Sequence, residues 1–304
     1  MYLIYDCLQN SPFHIATLNL LKVLEIPFKE IPKTESFIPN GGYYGRISKL
    51  DKFLFANIYN IALAAKNGDI LLAIEEDSYA NLAFTLNTIA TYKEFRDFVS
   101  QELQHYGIML DVTTLHKHVA YFPALLGKYH DKIQQNIVLH FGSLNTKNQM
   151  PSISARYDSL EGFVTCLYYT GRHFDCNMHG EYAEIHKIFK LLGLKVFETP
   201  FSMESFTHLL EINETKAYQK SGEILYAGID LGVDFICVFG DSTFNMFEKK
   251  HNLCTKYCKR DNIDIAVLNL AQILLVAFGR FEEAGFDLHA KNPKFLWKDN
   301  SKVS

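Results

Sequence analysis

Two stretches of this chain share one layout: NGDILLAIEEDSYANL at residues 67–82 and GVDFICVFGDSTFNMF at residues 232–247. Each has a glycine, an apolar run of strand length, an Asp-Ser pair, and an asparagine three residues beyond the serine. An apolar run without alternation leaves no face for water. Such strands belong in parallel sheets covered on both sides. Parallel neighbours cannot be joined by tight turns, so crossover segments, normally helices, must lie between them.

The repeat extends in both directions. Residues 28–37 read FKEIPKTESF and residues 197–206 read FETPFSMESF. Each follows a segment with one apolar face at helical spacing: Ile15, Leu18, Leu21 and Leu24 in the first half, Ile185, Ile188, Phe189 and Leu192 in the second. Pro27 suits a position just past a helix, and Gly193 suits a helix C-terminus. The helical stretch LDKFLFANIYNIALAAKNG follows Ser48, with Asp51 three residues on in a capping-box pattern. ETKAYQKSGEILYAGIDLG holds the same place in the second half. DVTTLHKHVAYF at 111–122 pairs with DIAVLNLAQILL at 264–275, each predicting a short strand that leads into a helix.

Each half therefore reads β-α-β-α-β-α. The expected fold class is α/β: two similar Rossmann-like, doubly wound domains with mainly parallel sheets, related by internal duplication. The expected domains are 1–134 and 135–290, followed by a tail at 291–304. Ligands in such sheets sit beyond the carboxyl ends of the strands. That places Cys7, Glu35, Ser36, Glu75, Asp77 and Ser78 at the expected site of the first half, and Glu204, Ser205, Asp241 and Ser242 at that of the second.

Composition narrows the function classes. A net charge of −4 without a basic stripe gives no electrostatic footprint for nucleic acid. The most apolar stretch, residues 265–279, is too short to span a bilayer and contains Asn269 and Gln272, so it predicts a buried strand and helix. The opening MYLIYDC lacks the basic region of a signal peptide, and the expected location is cytoplasmic. The six cysteines include no Cys-x-x-Cys, so free thiols are expected. CTKYC puts Cys254 and Cys258 one helical turn apart. His116 and His118 are expected on a surface or a helix flank.

The order of strand with Cys, helix, short motif, then helix, strand and Asp-Ser-x-x-Asn, all repeated, resembles the cysteine-rich CCG-domain family typified by the B-type subunit of heterodisulfide reductase. The resemblance runs from residue 1 to about 280 and implies iron–sulfur clusters that reduce disulfides or pass electrons to a partner. In that family each half carries a lone Cys, a Cys-Cys-Gly and a Cys-x-x-Cys. Here Cys7 fits the first lone Cys. The Cys-Cys-Gly positions fall on Glu35-Ser36-Phe37 and Glu204-Ser205-Phe206. The Cys-x-x-Cys positions fall on Glu75 and Ser78, and on Phe239 and Ser242. The second lone Cys aligns with Ser143, at the end of the expected strand IVLHFGS (137–143). An alternative register uses FVTCLYY (163–169) and makes Cys176 the twin of Cys7. Clusters are held by thiolates, and a serine hydroxyl is not ionised near neutral pH. The resemblance thus implies the scaffold without the iron–sulfur cofactor.

Three functions follow as expectations. The first is a non-catalytic or accessory partner of a redox or respiratory complex. The second is a small-molecule-binding protein or enzyme using the duplicated Glu-Ser and Asp-Ser loops in an inter-domain cleft. The third is a mononuclear metal protein using His173, Cys176 and His179 of HFDCNMH. Against the second stands a plainer role for Asp77-Ser78 and Asp241-Ser242, as helix N-caps between strand and helix.

Overall fold

A computed structural model of the protein describes residues 1–5, 10–31, 37–139, 141, 164–168, 180–197, 205–261 and 263–296. In chain order the regular elements begin with β1 (Tyr2–Tyr5), α1 (Pro12–Val23), β2 (Phe28–Lys29), α2 (Gly42–Ser48), α3 (Leu50–Lys66), β3 (Ile70–Ala73), α4 (Glu76–Thr91) and α5 (Lys93–His105). A 3-10 turn, Val112–His118, leads into β4 (Val119–Tyr121), α6 (Phe122–Gly127) and α7 (His130–Asn136). Then come β5 (Val164–Tyr168), α8 (Gly180–Leu192), β6 (Lys195–Phe197), α9 (Glu214–Asp230), β7 (Phe235–Val238) and α10 (Asp241–Phe244). A π-turn, Asn245–Lys249, joins α10 to α11 (His251–Cys258), and β8 (Ala266–Asn269) and α12 (Leu270–Ala277) follow. Three short 3-10 turns between Glu282 and Leu296 close the described chain.

These strands form two four-stranded sheets, ordered β2-β1-β3-β4 and β6-β5-β7-β8. Every pairing is parallel. The chain is thus an α/β protein rich in helix with two parallel sheets, as the unbroken apolar runs require. In β3, Leu71, Leu72 and Ala73 are fully buried, and in β7 all four residues are. In both sheets the strand order reverses beside the first strand, between β1 and β3 and between β5 and β7.

Packing divides the chain into two compact units. The first holds β1, β2, α2 to α5, β3 and β4. Its core is built by α3, where Leu54, Ile58, Ile61 and Ala62 recur on one face and pack with Leu3, Leu71 and Leu82. The second unit holds α1, α7, nearly all of α8, β5 to β8 and α9 to α12. Its core gathers Ala217, Ile224 and Leu225 of α9 with Ile236, Val238, Phe244, Phe247, Cys254 and Val267. Helices α9 and α11 approach closely because Gly222 has no side chain: a Cβ there would lie 2.3 Å from the Cys254 carbonyl oxygen. Helix α1, early in sequence, packs on α12 of the second unit, and Asn19 Nδ2 donates to the Glu283 carbonyl at 2.8 Å. Ser11 caps it by accepting from His14 N at 3.1 Å, with Pro12 in the first turn.

Two local expectations are corrected. Ser48 does not cap α3: its hydroxyl donates back to the Tyr44 carbonyl at 2.6 Å, inside α2, and Lys49 stands at the cap position with no side-chain bond. The expected strand at 137–143 is absent among its described residues. The N–H groups of Val138 and Leu139 both donate to the Ala277 carbonyl, at 2.9 Å each, so this backbone serves the end of α12 rather than a ladder. The strand beside β7 is instead Val164–Tyr168, within FVTCLYY.

Candidate functional site

The loops leaving the carboxyl ends of the strands come first, because the parallel sheets direct them to one edge. In the first unit, β3 gives way to Glu75, the N-cap of α4. Its carboxylate accepts from Ser78 N at 2.6 Å through Oε1 and from Asp77 N at 3.2 Å through Oε2. The cap is therefore Glu75 rather than Asp77, because the longer side chain folds back over the first helical turn. Asp77 and Ser78 stand inside that turn, where a carboxylate also favours the positive end of the helix. Glu75 and Ser78 are each 2% exposed.

Phe37 and Ile38, ahead of α2, are held by contacts from α3 and β1. Asn60 donates to the Ile38 carbonyl at 2.9 Å and accepts from Ile38 N at 2.8 Å. The same amide donates to the Tyr5 hydroxyl at 3.3 Å, at the carboxyl end of β1, and the Phe37 ring packs 6.0 Å from the Tyr5 ring. Glu35, Ser36 and Cys7 lie outside the described residues, as do Ser143, Glu204, His173, Cys176 and His179. Val138 and Leu139, ahead of Ser143 in sequence, give their N–H groups to the end of α12.

In the second unit Ser205 is fully buried and structural. Its hydroxyl shares a hydrogen with the Thr207 hydroxyl at 3.0 Å, and its carbonyl accepts from the Ser221 hydroxyl at 2.8 Å. The loop after β7 places Phe239, 2% exposed, next to Gly240, which caps α10 without a side-chain bond. Asp241 opens that helix, buried, and accepts from Asn245 Nδ2 at 3.2 Å. Ser242 follows in the same turn. Helix α10 lasts one turn before the backbone widens into the π-turn, a feature frequent at functional sites.

That π-turn presents residues that no sequence motif marked. Glu248 Oε1 accepts from Lys291 N at 2.9 Å, tying the 3-10 turns of the chain's last described segment to the domain. Asn269, at the carboxyl end of β8, and Gln272 form a capping box, 3.1 Å from Asn269 N to Gln272 Oε1 and 2.9 Å from Gln272 N to Asn269 Oδ1. The Gln272 amide nitrogen then has two hydrogens to place. One goes to the Ala284 carbonyl at 2.9 Å, the other to His289 Nε2 at 2.8 Å. His289 must accept there, so its proton sits on Nδ1. Nδ1 lies 3.7 Å from Glu248 Oε1, beyond hydrogen-bond reach. Burial pushes the imidazole down to about 4 and raises the Glu248 carboxyl, so at neutral pH the contact is not an ion pair. Glu248 Oε2, His289 Nδ1, Asn269 Nδ2 and Thr243 Oγ1 are buried without a hydrogen-bond partner among the described residues. The visible signal in sequence was Asn269-x-x-Gln272. Glu248 and His289 are joined only by the fold.

The thiols are sited differently. Cys237 is buried in β7, and burial pushes it well above the ordinary thiol value. Cys254 on α11 is pushed up to about 12 by burial and then by Cys258, and burial followed by Glu223 raises Cys258 as well. None of these three lies on a loop after a strand. Among the described residues, no group of three or more His, Cys, Asp or Glu side chains is arranged to hold a metal ion. No described helix is long and apolar enough to cross a membrane.

Residues 206–290 match the HdrB-like C-terminal domain. The chain resembles the B-type member of heterodisulfide reductase. The match begins ahead of α9 and ends at Ala290, and so contains the π-turn together with Glu248, Gln272 and His289. No curated protein matches the chain. A crystal structure titled as a hypothetical protein from Helicobacter pylori has the same fold, with a TM-score of 0.70 and 24% identity. The similarity covers 95% of this chain and 51% of that one, so the chain spans about half the length of the solved protein.

Proposed function

We propose that this chain is an HdrB-like protein that has lost the iron–sulfur ligands of its relatives and serves as a non-catalytic, accessory partner in a redox or respiratory complex. The observation that carries the reading is Phe239. At the mouth of β7, where the resemblance calls for a thiolate, it offers a buried ring with no donor atom. The remaining described donors fit a cluster no better. Glu75 spends both oxygens on the first turn of α4, and the Ser205 hydroxyl is engaged with Thr207. Iron–sulfur clusters need deprotonated thiols, and the described thiols are held protonated in the core and helices.

We infer also that the two halves arose by internal duplication of a doubly wound domain. What supports this is the shared strand order, with Gly68 and Gly232 at matching positions before β3 and β7, both at positive φ near 70°. The test is anaerobic reconstitution with iron and sulfide, followed by metal analysis and visible absorption. The expected result is iron below stoichiometry and no broad band near about 400 nm, the region of thiolate-to-iron charge transfer. Stoichiometric iron with that band would overturn the proposal. Elemental analysis of the same preparation reads the HFDCNMH segment: stoichiometric zinc would favour the mononuclear-metal alternative.

A further inference from the structure

A groove in the first unit lies away from the strand-end loops. It is framed by the last turns of α4, the start of α5 and the 3-10 turn before β4, and has a volume of about 460 Å³. Val119 opens β4, so the groove borders the amino-terminal edge of the sheet, opposite to Glu75. Its floor is apolar: Ala83, Ile89 and Val112 are buried, and Leu86 and Val119 are half-buried.

One cation faces this apolar floor. Arg96 lines the groove, and its only side-chain bonds among the described residues run from Nη1 to the Ile89 and Ala90 carbonyls, each at 3.4 Å. Those contacts are long, and they leave Nε and Nη2 without a partner among the described residues. No described carboxylate neutralises the guanidinium there. The acid on the facing turn, Asp111, is turned into its own loop, where Oδ1 accepts from Thr113 N at 2.9 Å and from the Thr113 hydroxyl at 2.7 Å. Asn87, exposed on α4, offers its amide beside the same groove.

We propose that this groove binds a small amphiphilic carboxylate, with its apolar body on Leu86, Ile89, Val112 and Val119 and its head on Arg96. A planar guanidinium with an open edge matches a carboxylate in two parallel bonds, and Asn87 can donate to the same head. A hydrated inorganic anion would satisfy Arg96 and leave the apolar floor in water. A neutral apolar molecule would cover the floor and leave the cation unmatched. The volume lies in the range of small-molecule sites, and an apolar lining with a few polar groups is their usual composition.

Octanoate is the probe, titrated into the full-length protein by calorimetry, with methyl NMR shifts to locate it. The expected result is saturable one-to-one binding that shifts the methyls of Ile89, Val112 and Val119. Arg96→Gln should weaken it by at least roughly tenfold, the loss of the charge-assisted pair of bonds to the head. Ala90→Trp, at an exposed position on the rim, should abolish it without touching the core. Acetate and octanol should each bind at least roughly tenfold more weakly than octanoate. Octanol matching octanoate, binding unchanged by both variants, or no saturable binding would overturn the proposal.

Discussion

Replacing His289 by glutamine isolates the proton chemistry of the buried cluster. Glutamine keeps an acceptor for the Gln272 amide but cannot titrate. In the folded protein the imidazole takes a proton only near pH 4, against 6.5 for the ordinary group. Between those values the unfolded chain binds the proton and the folded one refuses it. Stability is therefore full above about pH 6.5 and falls as pH drops toward 4. The linkage amounts to about 2 kcal/mol at pH 5 and about 3 kcal/mol at pH 4 for a group so buried.

Two buried neighbours are shifted as well, and their contributions must be separated. His251, lowered by burial and by Lys291, adds a loss of the same sign. Glu248, raised by burial, works the other way, because its folded form holds the proton more tightly. Absolute slopes mix all three, and the difference between wild type and His289→Gln removes the two shared terms. The assay is urea denaturation between pH 7 and pH 5, read by amide exchange in peptides covering β7 and β8 so that the second unit reports alone. The stability difference between the two proteins should change by about 2 kcal/mol over that range, the wild type losing more. Curves that stay parallel within about 0.5 kcal/mol, the usual tolerance of additivity, would refute the assignment of a buried neutral imidazole.

Other perturbations test the supports around the strand ends. Glu75→Ala removes the α4 cap and leaves Ser78 N without its acceptor, at an expected cost of about 1–2 kcal/mol in chemical denaturation. Gly222→Ala pushes a methyl into the Cys254 carbonyl and the Cys258 sulfur, at 2.3 and 2.4 Å, and should lower stability by about 1–3 kcal/mol in thermal melts. Asn60→Leu cuts both bonds to Ile38, and hydrogen exchange at Ile38 should accelerate by at least roughly tenfold while that of β3 stays unchanged. A thiol reagent at pH 8 should modify native Cys258 before Cys254 or Cys237, because Cys258 alone of the three is only partly buried.

Which parts were legible in the sequence follows from how local each cause is. The parallel sheets came from runs such as Ile70–Ala73 and Phe235–Val238, whose lack of alternation is itself the physical requirement for cover on both faces. The apolar face of α8 was readable because Ile185, Ile188, Phe189 and Leu192 carry the helical period in a short window, and all four are buried. Errors arose where one local pattern has two uses. IVLHF has the composition of a buried strand, yet Val138 and Leu139 spend their amides on Ala277, and periodicity alone cannot tell a strand from a packed extended segment. Ser48 and Asp51 have capping-box spacing, but a serine hydroxyl can equally bond back to the carbonyl four residues earlier, and here it reaches Tyr44. The cluster of Glu248, Gln272 and His289 lay beyond local reading altogether. Its members come from a π-turn, a helix cap and a late 3-10 segment, and only tertiary packing sets His289 3.7 Å from Glu248. Half of its logic was nonetheless present in Asn269-x-x-Gln272. A buried glutamine that caps one helix with its oxygen must place two amide hydrogens elsewhere, and that demand selects the tautomer of His289.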